Sequence, residues 1–365
     1  MSYASKKNIC FVVGAINGMG GTGRAVSILA NELQKTQKYN INVLCYYQKD
    51  KQRGYPIDEN IGIDIILKKQ TNMRKSFFRV IAYLVRYLKR HKIDTIVACG
   101  VLQFPAAIIA AKIARCHVIC CDHSNYTCVP GAKFERQSRN FAARFSDKLI
   151  TLTQKDVENY KKGTKVKAHI DFIHNMVDER LFNFNYEYQS DSKKIISVGR
   201  LTYAKNYELL IEIAARVLQK YPEWSWDIYG SGELYDKLQN KIDKMHVERL
   251  TLKGAVSNIY DLYHEYAFLV MTSRYEGYPM VLLESIANKV PVIAFDCQTG
   301  PSDIIDHNKT GLLVKQNDTK QMIDSIEKLI VETSFRKELS ESCETAMEKF
   351  STADIIKKWN IYLDE

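Results

Sequence analysis

Short apolar runs alternate with longer amphipathic stretches along most of this chain, and they do so in two successive series. In the first, apolar runs fall at Asn8 to Ile16, Ile41 to Tyr47, Asp64 to Leu67, Asp94 to Cys99, His117 to Cys121 and Leu149 to Leu152. Arg24 to Lys35, Arg74 to Lys89 and Phe104 to Ala114 lie between them and carry helical periodicity. In the second, the runs are Lys194 to Val198, Ser225 to Tyr229, Leu250 to Lys253, Phe268 to Met271, Val292 to Phe295 and Leu312 to Val314. Their intervening helical patterns are Tyr207 to Gln219, Leu234 to Met245 and Met280 to Ala287. Strands alternating with helices predict parallel sheets covered on both faces. Two such series predict two doubly wound, Rossmann-like α/β domains. The polar, aperiodic stretch Asn183 to Ser192 is the expected joint, giving domains at 1–182 and 183–351. Beyond Thr319 the chain reads as helix to its end. The apolar stripe from Ile355 to Leu363, with Trp359, must pack somewhere, and residues 352–365 are expected to cross back to the first domain.

Composition sharpens this reading in two places. The 46% apolar and 26% charged fractions over 365 residues belong to a folded soluble protein, large enough for two cores. No apolar run approaches the roughly 20 residues needed to cross a bilayer, and the first residues lack the layout of a signal peptide. Nine scattered cysteines show no metal-type pairing, which fits a reducing cytosol. The charge is unevenly spread. Residues 1–180 hold 30 Lys/Arg against 14 Asp/Glu, whereas residues 181–365 hold 22 against 28. Such a split suggests that the first half faces a polyanion or an anionic membrane.

The excess of positive charge centres on one helix. No acidic residue occurs between Asp64 and Asp94, while Lys68, Lys69, Arg74, Lys75, Arg79, Arg86, Lys89, Arg90 and Lys92 are all basic. Phe77, Ile81, Leu84 and Leu88 share one helical face and should be core. The remaining basic and aromatic residues read as a surface suited to anionic lipid, or as a solvated charged face. No nucleic-acid module signature accompanies them, so a nucleic-acid partner is not expected.

Candidate chemistry lies in two loops. Gly18, Gly20, Gly21 and Gly23 follow the first strand and match a dinucleotide-type glycine spacing, but the second strand ends at Cys45-Tyr46-Tyr47-Gln48 without the acid that would hold a ribose. The loop therefore reads as a tight turn or as a place where a ligand's phosphate or sugar approaches the backbone. The segment Ser273-Arg-Tyr-Glu-Gly-Tyr-Pro-Met-Val-Leu-Leu-Glu-Ser285 is more specific. It puts Glu276 on a loop after a buried strand, Pro279 in the first turn of a helix, and Glu284 farther along that helix. Backbone N–H groups at the helix start can hold a phosphate, and the carboxylates can hold sugar hydroxyls. A nucleotide-sugar needs that combination.

With these residues laid out, the whole chain resembles the retaining GT-B glycosyltransferases of family 4. More narrowly, it resembles bacterial enzymes that build capsule, exopolysaccharide or O-antigen repeats on a lipid carrier, such as amylovoran-biosynthesis galactosyltransferases and undecaprenyl-diphosphate-linked GalNAc transferases. The matching pieces are the Gly20-Gly21-Thr22-Gly23-Arg24 loop, where Gly23 stands in place of a common Glu, and Asp122-His123-Ser124-Asn125. Ser197-Val-Gly199-Arg200-Leu201 with Lys205-Asn206, Tyr229-Gly230-Ser231-Gly232-Glu233, and the Glu276/Glu284 element running on into Asp296 to Pro301 complete the set.

The resemblance implies two Rossmann-like domains facing each other across a cleft. It implies that Gly20, Gly21, Gly230 and Gly232 adjoin the donor, and that His123 lies over its sugar. It also implies that Arg200 and Lys205 grip the diphosphate, one as a fork and one as a point charge. Glu276 would contact the transferred sugar and Glu284 the ribose, while Gly277, Tyr278, Pro279, Met280 and Val281 would offer backbone N–H groups. The donor would be a UDP-sugar, with UDP-Gal or UDP-GalNAc favoured, and the acceptor an undecaprenyl-diphosphate-linked saccharide. No cofactor or metal is expected, since the cations can stabilise the leaving diphosphate; attack would be front-face, with retention. The basic surface at Arg74, Lys75, Arg79, Arg86, Lys89 and Arg90 would hold the enzyme at the inner face of the plasma membrane. A glycolipid synthase acting on diacylglycerol or phosphatidylinositol, and a non-catalytic partner subunit, are the alternatives.

Overall fold

The protein's computed structural model describes all residues except 1–5, 17–19, 48–54, 68–72, 129–132, 184–185 and 258, and omits the side chains of 73–75 and 182–183. Arg74 and Lys75 therefore have no described side chains, and Gly18, Lys68 and Lys69 lie outside the described residues. The chain forms two compact units, one of 1–176 with 352–365 and one of 177–351. The stretch Asn183 to Ser192 belongs to the second unit. It is preceded there by Asp178, whose carboxylate pairs with Arg180 at 2.5 Å.

In the first unit β1 (Lys7–Val13), α1 (Gly21–Lys35), β2 (Tyr39–Tyr47), β3 (Gly62–Leu67), α2 (Met73–Arg90), β4 (Thr95–Cys99) and α3 (Phe104–Ala114) come first. They are followed by β5 (His117–Cys121), α4 (Lys133–Phe145), β6 (Lys148–Thr151), α5 (Gln154–Gly163) and β7 (His169–Phe172). Its seven strands are ordered β3-β2-β1-β4-β5-β6-β7 and all pairs are parallel. The order reverses between β1 and β4. A core of Val12, Leu44, Ile96, Phe104, Val118 and Leu149 fills one face of the sheet. This apolar burial is the main stabilising term.

In the second unit β8 (Lys194–Val198), α6 (Tyr207–Lys220), β9 (Ser225–Tyr229), α7 (Tyr235–Lys244), β10 (Leu250–Gly254), β11 (Phe268–Met271) and α8 (Met280–Ala287) come first. β12 (Val292–Asp296), α9 (Pro301–Ile304), β13 (Gly311–Lys315), α10 (Thr319–Val331) and α11 (Thr333–Ala346) follow. Its parallel sheet runs β10-β9-β8-β11-β12-β13, reversing between β8 and β11. Trp226 is fully buried, and its Nε1 donates to Ser197 Oγ at 3.0 Å; that hydroxyl donates to the Val270 carbonyl at 2.7 Å. A single polar chain thus ties β9, β8 and β11 together beneath the point of reversal.

The last helix, α12 (Thr352–Asp364), buries Ile355, Trp359 and Leu363 within the first unit. Lys7 Nζ donates to the Leu363 carbonyl at 3.1 Å, and the Tyr39 hydroxyl donates to Asp364 Oδ1 at 2.7 Å. On α2, Ile81, Leu84 and Leu88 are buried as expected, Phe77 is half-buried, and Phe78, Arg79, Arg86, Lys89 and Arg90 are exposed. Tyr87 departs from the expected lipid-facing surface. Its ring is buried, stacked 4.2 Å from His91, and its hydroxyl donates to Asp64 Oδ2 at 2.9 Å. A tyrosine with a reachable carboxylate beneath it gains more by turning inward.

Candidate active site

The second unit places its expected functional groups where the strand order reverses, the position at which open α/β sheets take ligands. Arg200 and Lys205 follow the C-terminal end of β8, and Glu276 follows the C-terminal end of its neighbour β11. The Thr272 hydroxyl ties the two loops together, 3.3 Å from the carbonyls of Lys205 and Asn206. Lys205 Nζ then meets Glu276 Oε1 at 2.5 Å, with both side chains largely buried. The Ser273 hydroxyl donates to the same carboxylate oxygen at 2.6 Å, and the Thr299 hydroxyl to the Glu276 carbonyl at 2.5 Å. Arg200 is exposed.

Glu284 sits in the fifth position of α8 and is buried, its Oε2 accepting from the Tyr263 hydroxyl at 3.1 Å. A buried carboxylate needs such partners to stay tolerable. Pro279 stands at the cap rather than in the first turn: its ψ of 98° is extended, and helix begins at Met280. Pro279 provides no side-chain cap to that N-terminus. Tyr278 and Met280 turn their side chains into the interior, so only their backbone is available to a ligand.

Gly230 and Gly232 are explained by the protein's own backbone. Gly230 has φ +148°, and a Cβ there would lie 1.9 Å from the Gly199 carbonyl oxygen. A Cβ at Gly232 would lie 2.3 Å from the Leu201 carbonyl oxygen. The turn between β9 and α7 presses against 199–201 and bonds to it, with Gly199 N donating to Tyr229 O and Leu201 N to Ser231 O. These glycines hold the segment that bears Arg200.

The first unit shows the reverse. At Gly20 and Gly21 a Cβ would meet open space among the described residues, so no packing there demands glycine. His123 follows β5. Both its ring nitrogens are buried without a hydrogen-bond partner among the described residues. Burial pushes its pKa down to about 4, against the opposing pull of Asp122, so the imidazole is neutral at pH 7. Asp122 is fully buried and engaged from behind: Arg139 Nε donates at 2.8 Å, the Tyr160 hydroxyl at 2.7 Å and the Ser124 hydroxyl at 2.7 Å. Burial opposes its ionisation, but Arg139 and these hydrogen bonds outweigh it and hold the carboxyl below its usual range. Asp122 thus orders the loop that carries His123.

The loop-and-helix pattern singled out Glu276 and Glu284, and the family resemblance Arg200 and Lys205, but Tyr263 and the supporting roles of Ser273 and Thr299 escaped both. Nothing local to Tyr263 marks it as the partner of a side chain 21 residues away.

Two parallel α/β units, the second with Lys205 paired to Glu276 where its strand order reverses, make a doubly wound architecture of the kind that takes ligands at that point. The family model for glycosyl transferases group 1 matches residues 178–345, and that for Glycosyltransferase Family 4 matches residues 19–181. The chain belongs to these glycosyltransferases, and its fold is GT-B. The amylovoran biosynthesis glycosyltransferase AmsD of Erwinia amylovora is 29% identical, covering 98% of this chain and 99% of that protein. A Campylobacter jejuni GalNAc-alpha-(1->4)-GalNAc-alpha-(1->3)-diNAcBac-PP-undecaprenol alpha-1,4-N-acetyl-D-galactosaminyltransferase is 28% identical, covering 96% of each. A crystal structure of an S. aureus TarM mutant with fondaparinux, alpha-GlcNAc-glycerol and UDP superposes with a TM-score of 0.85 at 18% identity, covering 99% of this chain and 100% of that one.

Proposed function

We propose that this glycosyltransferase moves a hexosyl or N-acetylhexosaminyl unit from a UDP-sugar to a lipid-diphosphate-linked saccharide during surface-polysaccharide synthesis, with retention at the anomeric carbon. UDP-Gal and UDP-GalNAc are the favoured donors. The observation that carries this is the largely buried Lys205–Glu276 pair at the switch point, beside the N-terminus of α8, where Pro279 supplies no side-chain cap. Its ammonium, the Arg200 fork and the backbone N–H groups of 277–281 suit the charge that develops on a departing diphosphate. Glu276 and neutral His123 suit sugar hydroxyls, and Glu284 suits a ribose, with Tyr263 orienting it. These cations would make a metal dispensable. The lipid-linked acceptor named for the Campylobacter relative and the UDP named for the TarM structure support the choice of substrates.

No carboxylate is assigned as a nucleophile beneath the sugar, so the proposed route is front-face. The acceptor oxygen bonds to the anomeric carbon as the bond to the diphosphate breaks, and the departing phosphate oxygen takes the acceptor's proton. The exposed basic residues of α2 would hold the enzyme at the inner face of the plasma membrane.

The test is a panel of UDP- and GDP-sugars screened by thermal stabilisation, then transfer to a saccharide joined through diphosphate to a long alkyl chain. The anomeric configuration of the product is read by NMR. Arg200→Ala and Glu276→Ala should abolish transfer with the fold intact. Near-normal turnover in either variant, or an inverted product, would overturn the corresponding assignment.

A further inference from the structure

The two loops that bring Lys205 to Glu276 meet a second time, closer to solvent. Tyr203 opens the 3-10 turn Tyr203–Lys205, and Arg274 stands two residues before Glu276. The Arg274 guanidinium lies 4.1 Å from the centroid of the Tyr203 ring. Its Nη1 donates to the Tyr203 carbonyl at 2.5 Å, and its backbone N–H donates to the Ala204 carbonyl at 2.8 Å. The inner rung is largely buried, with side chains 18% and 11% exposed. Tyr203 keeps 62% of its surface open. Among the described residues it is the one large exposed apolar side chain on the segments that carry Lys205 and Glu276.

A ring held in this way offers a rigid apolar face, so a ligand stacking on it orders little that was mobile before. The guanidinium beside it adds N–H donors. A flat C–H face edged by hydroxyls, which is what a pyranose presents, matches that pairing. The inner rung is taken by the donor's diphosphate and sugar in the reading above, on which this inference rests. The ligand meeting the outer rung therefore arrives from solvent.

We propose that Tyr203 and Arg274 form an acceptor subsite that stacks the pyranose ring bearing the accepting hydroxyl. The ring's face, not its hydroxyl, carries the contact. Arg274 holds the ring in place and presents N–H groups to the hydroxyls at the pyranose edge.

The experiment compares full-length wild type with Tyr203→Ala and Tyr203→Phe. It measures the acceptor KM for a saccharide joined through diphosphate to a long alkyl chain, the Kd for UDP by calorimetry, and thermal stability. Tyr203→Ala should raise the acceptor KM about tenfold and leave the UDP Kd and saturating kcat within about twofold. Tyr203→Phe should behave like wild type. An unchanged acceptor KM in Tyr203→Ala would overturn the subsite. So would a UDP Kd that weakens in step with it, which would assign the ring to the donor's base. Damage from Tyr203→Phe equal to that from Tyr203→Ala would also overturn it, by making the hydroxyl the contact. A wild-type enzyme that transfers sugar while Tyr203→Ala is silent sinks the subsite alone. A wild type that transfers to no lipid-linked saccharide sinks the underlying function and the subsite with it.

Discussion

Replacing Lys205 by alanine separates two things that its ammonium does. It neutralises Glu276 across 2.5 Å in a site where both side chains are largely covered. It is also proposed to neutralise the leaving diphosphate. At that distance two unit charges attract by about 7 kcal/mol at an effective dielectric constant of about 20. Desolvation and residual screening offset most of this, because neither partner is wholly buried. Truncation leaves Glu276 with the Ser273 hydroxyl at 2.6 Å as one remaining donor. The loss should therefore be about 2–3 kcal/mol of stability in the second unit, seen as a fall in Tm of roughly 5–10 °C. Loss of a preorganised cation facing developing charge costs a further factor of about 10² to 10³ in kcat. The stability effect is isolated in the double variant. Adding Glu276→Gln to Lys205→Ala removes the stranded carboxylate, so most of the lost Tm should return; turnover is read in the single variant, because Glu276 is itself proposed to contact the sugar. The assay pairs thermal melting with UDP release at saturating donor and acceptor. A single variant whose kcat stays within about threefold of wild type would show that Lys205 only neutralises its neighbour, and a double variant whose Tm stays as low as the single variant's would refute the stranded-carboxylate account.

Gly230→Ala should destabilise the second unit by about 4 kcal/mol or more. Its Cβ would sit 1.9 Å from the Gly199 carbonyl at a φ of +148°; urea unfolding within about 1 kcal/mol of wild type would contradict that geometry. His123, its pKa pushed down to about 4 by burial, binds a proton more weakly folded than unfolded, where the value is about 6.5. The stability of wild type relative to His123→Asn should therefore be constant above pH 6.5 and fall as the pH drops toward 4. A flat difference across that range would mean the ring is solvated. Reversing Arg79, Arg86 and Lys89 to glutamate on the exposed face of α2 should weaken binding to anionic vesicles by well over tenfold, at about 1 kcal/mol per charge. Equal sedimentation of variant and wild type with those vesicles would leave the face merely solvated.

Strand-by-strand periodicity made both sheets legible, because each central strand is buried on two faces and reads as a compact apolar run. Elements without that contrast were missed. α4, with Arg136, Arg139 and Arg144 along Lys133–Phe145, α5 over Gln154–Gly163 and the four-residue β7 carry too much polarity to stand out. Yet α4 supplies Arg139, the buried cation on which Asp122 depends. The deeper limit is strand order. Lys205 and Glu276 are 71 residues apart, and no spacing rule pairs them. They meet because β8 and β11 are neighbours at the reversal. Tyr263, Ser273 and Thr299 acquire their roles the same way, through what lies beside them in space. Glu276 could therefore be recognised as a candidate from the loop after its apolar run, and Lys205 from the resemblance, each on its own. Whether they share a ligand is decided by the crossover connections, and the same crossover that joins the inner pair also brings Tyr203 under Arg274.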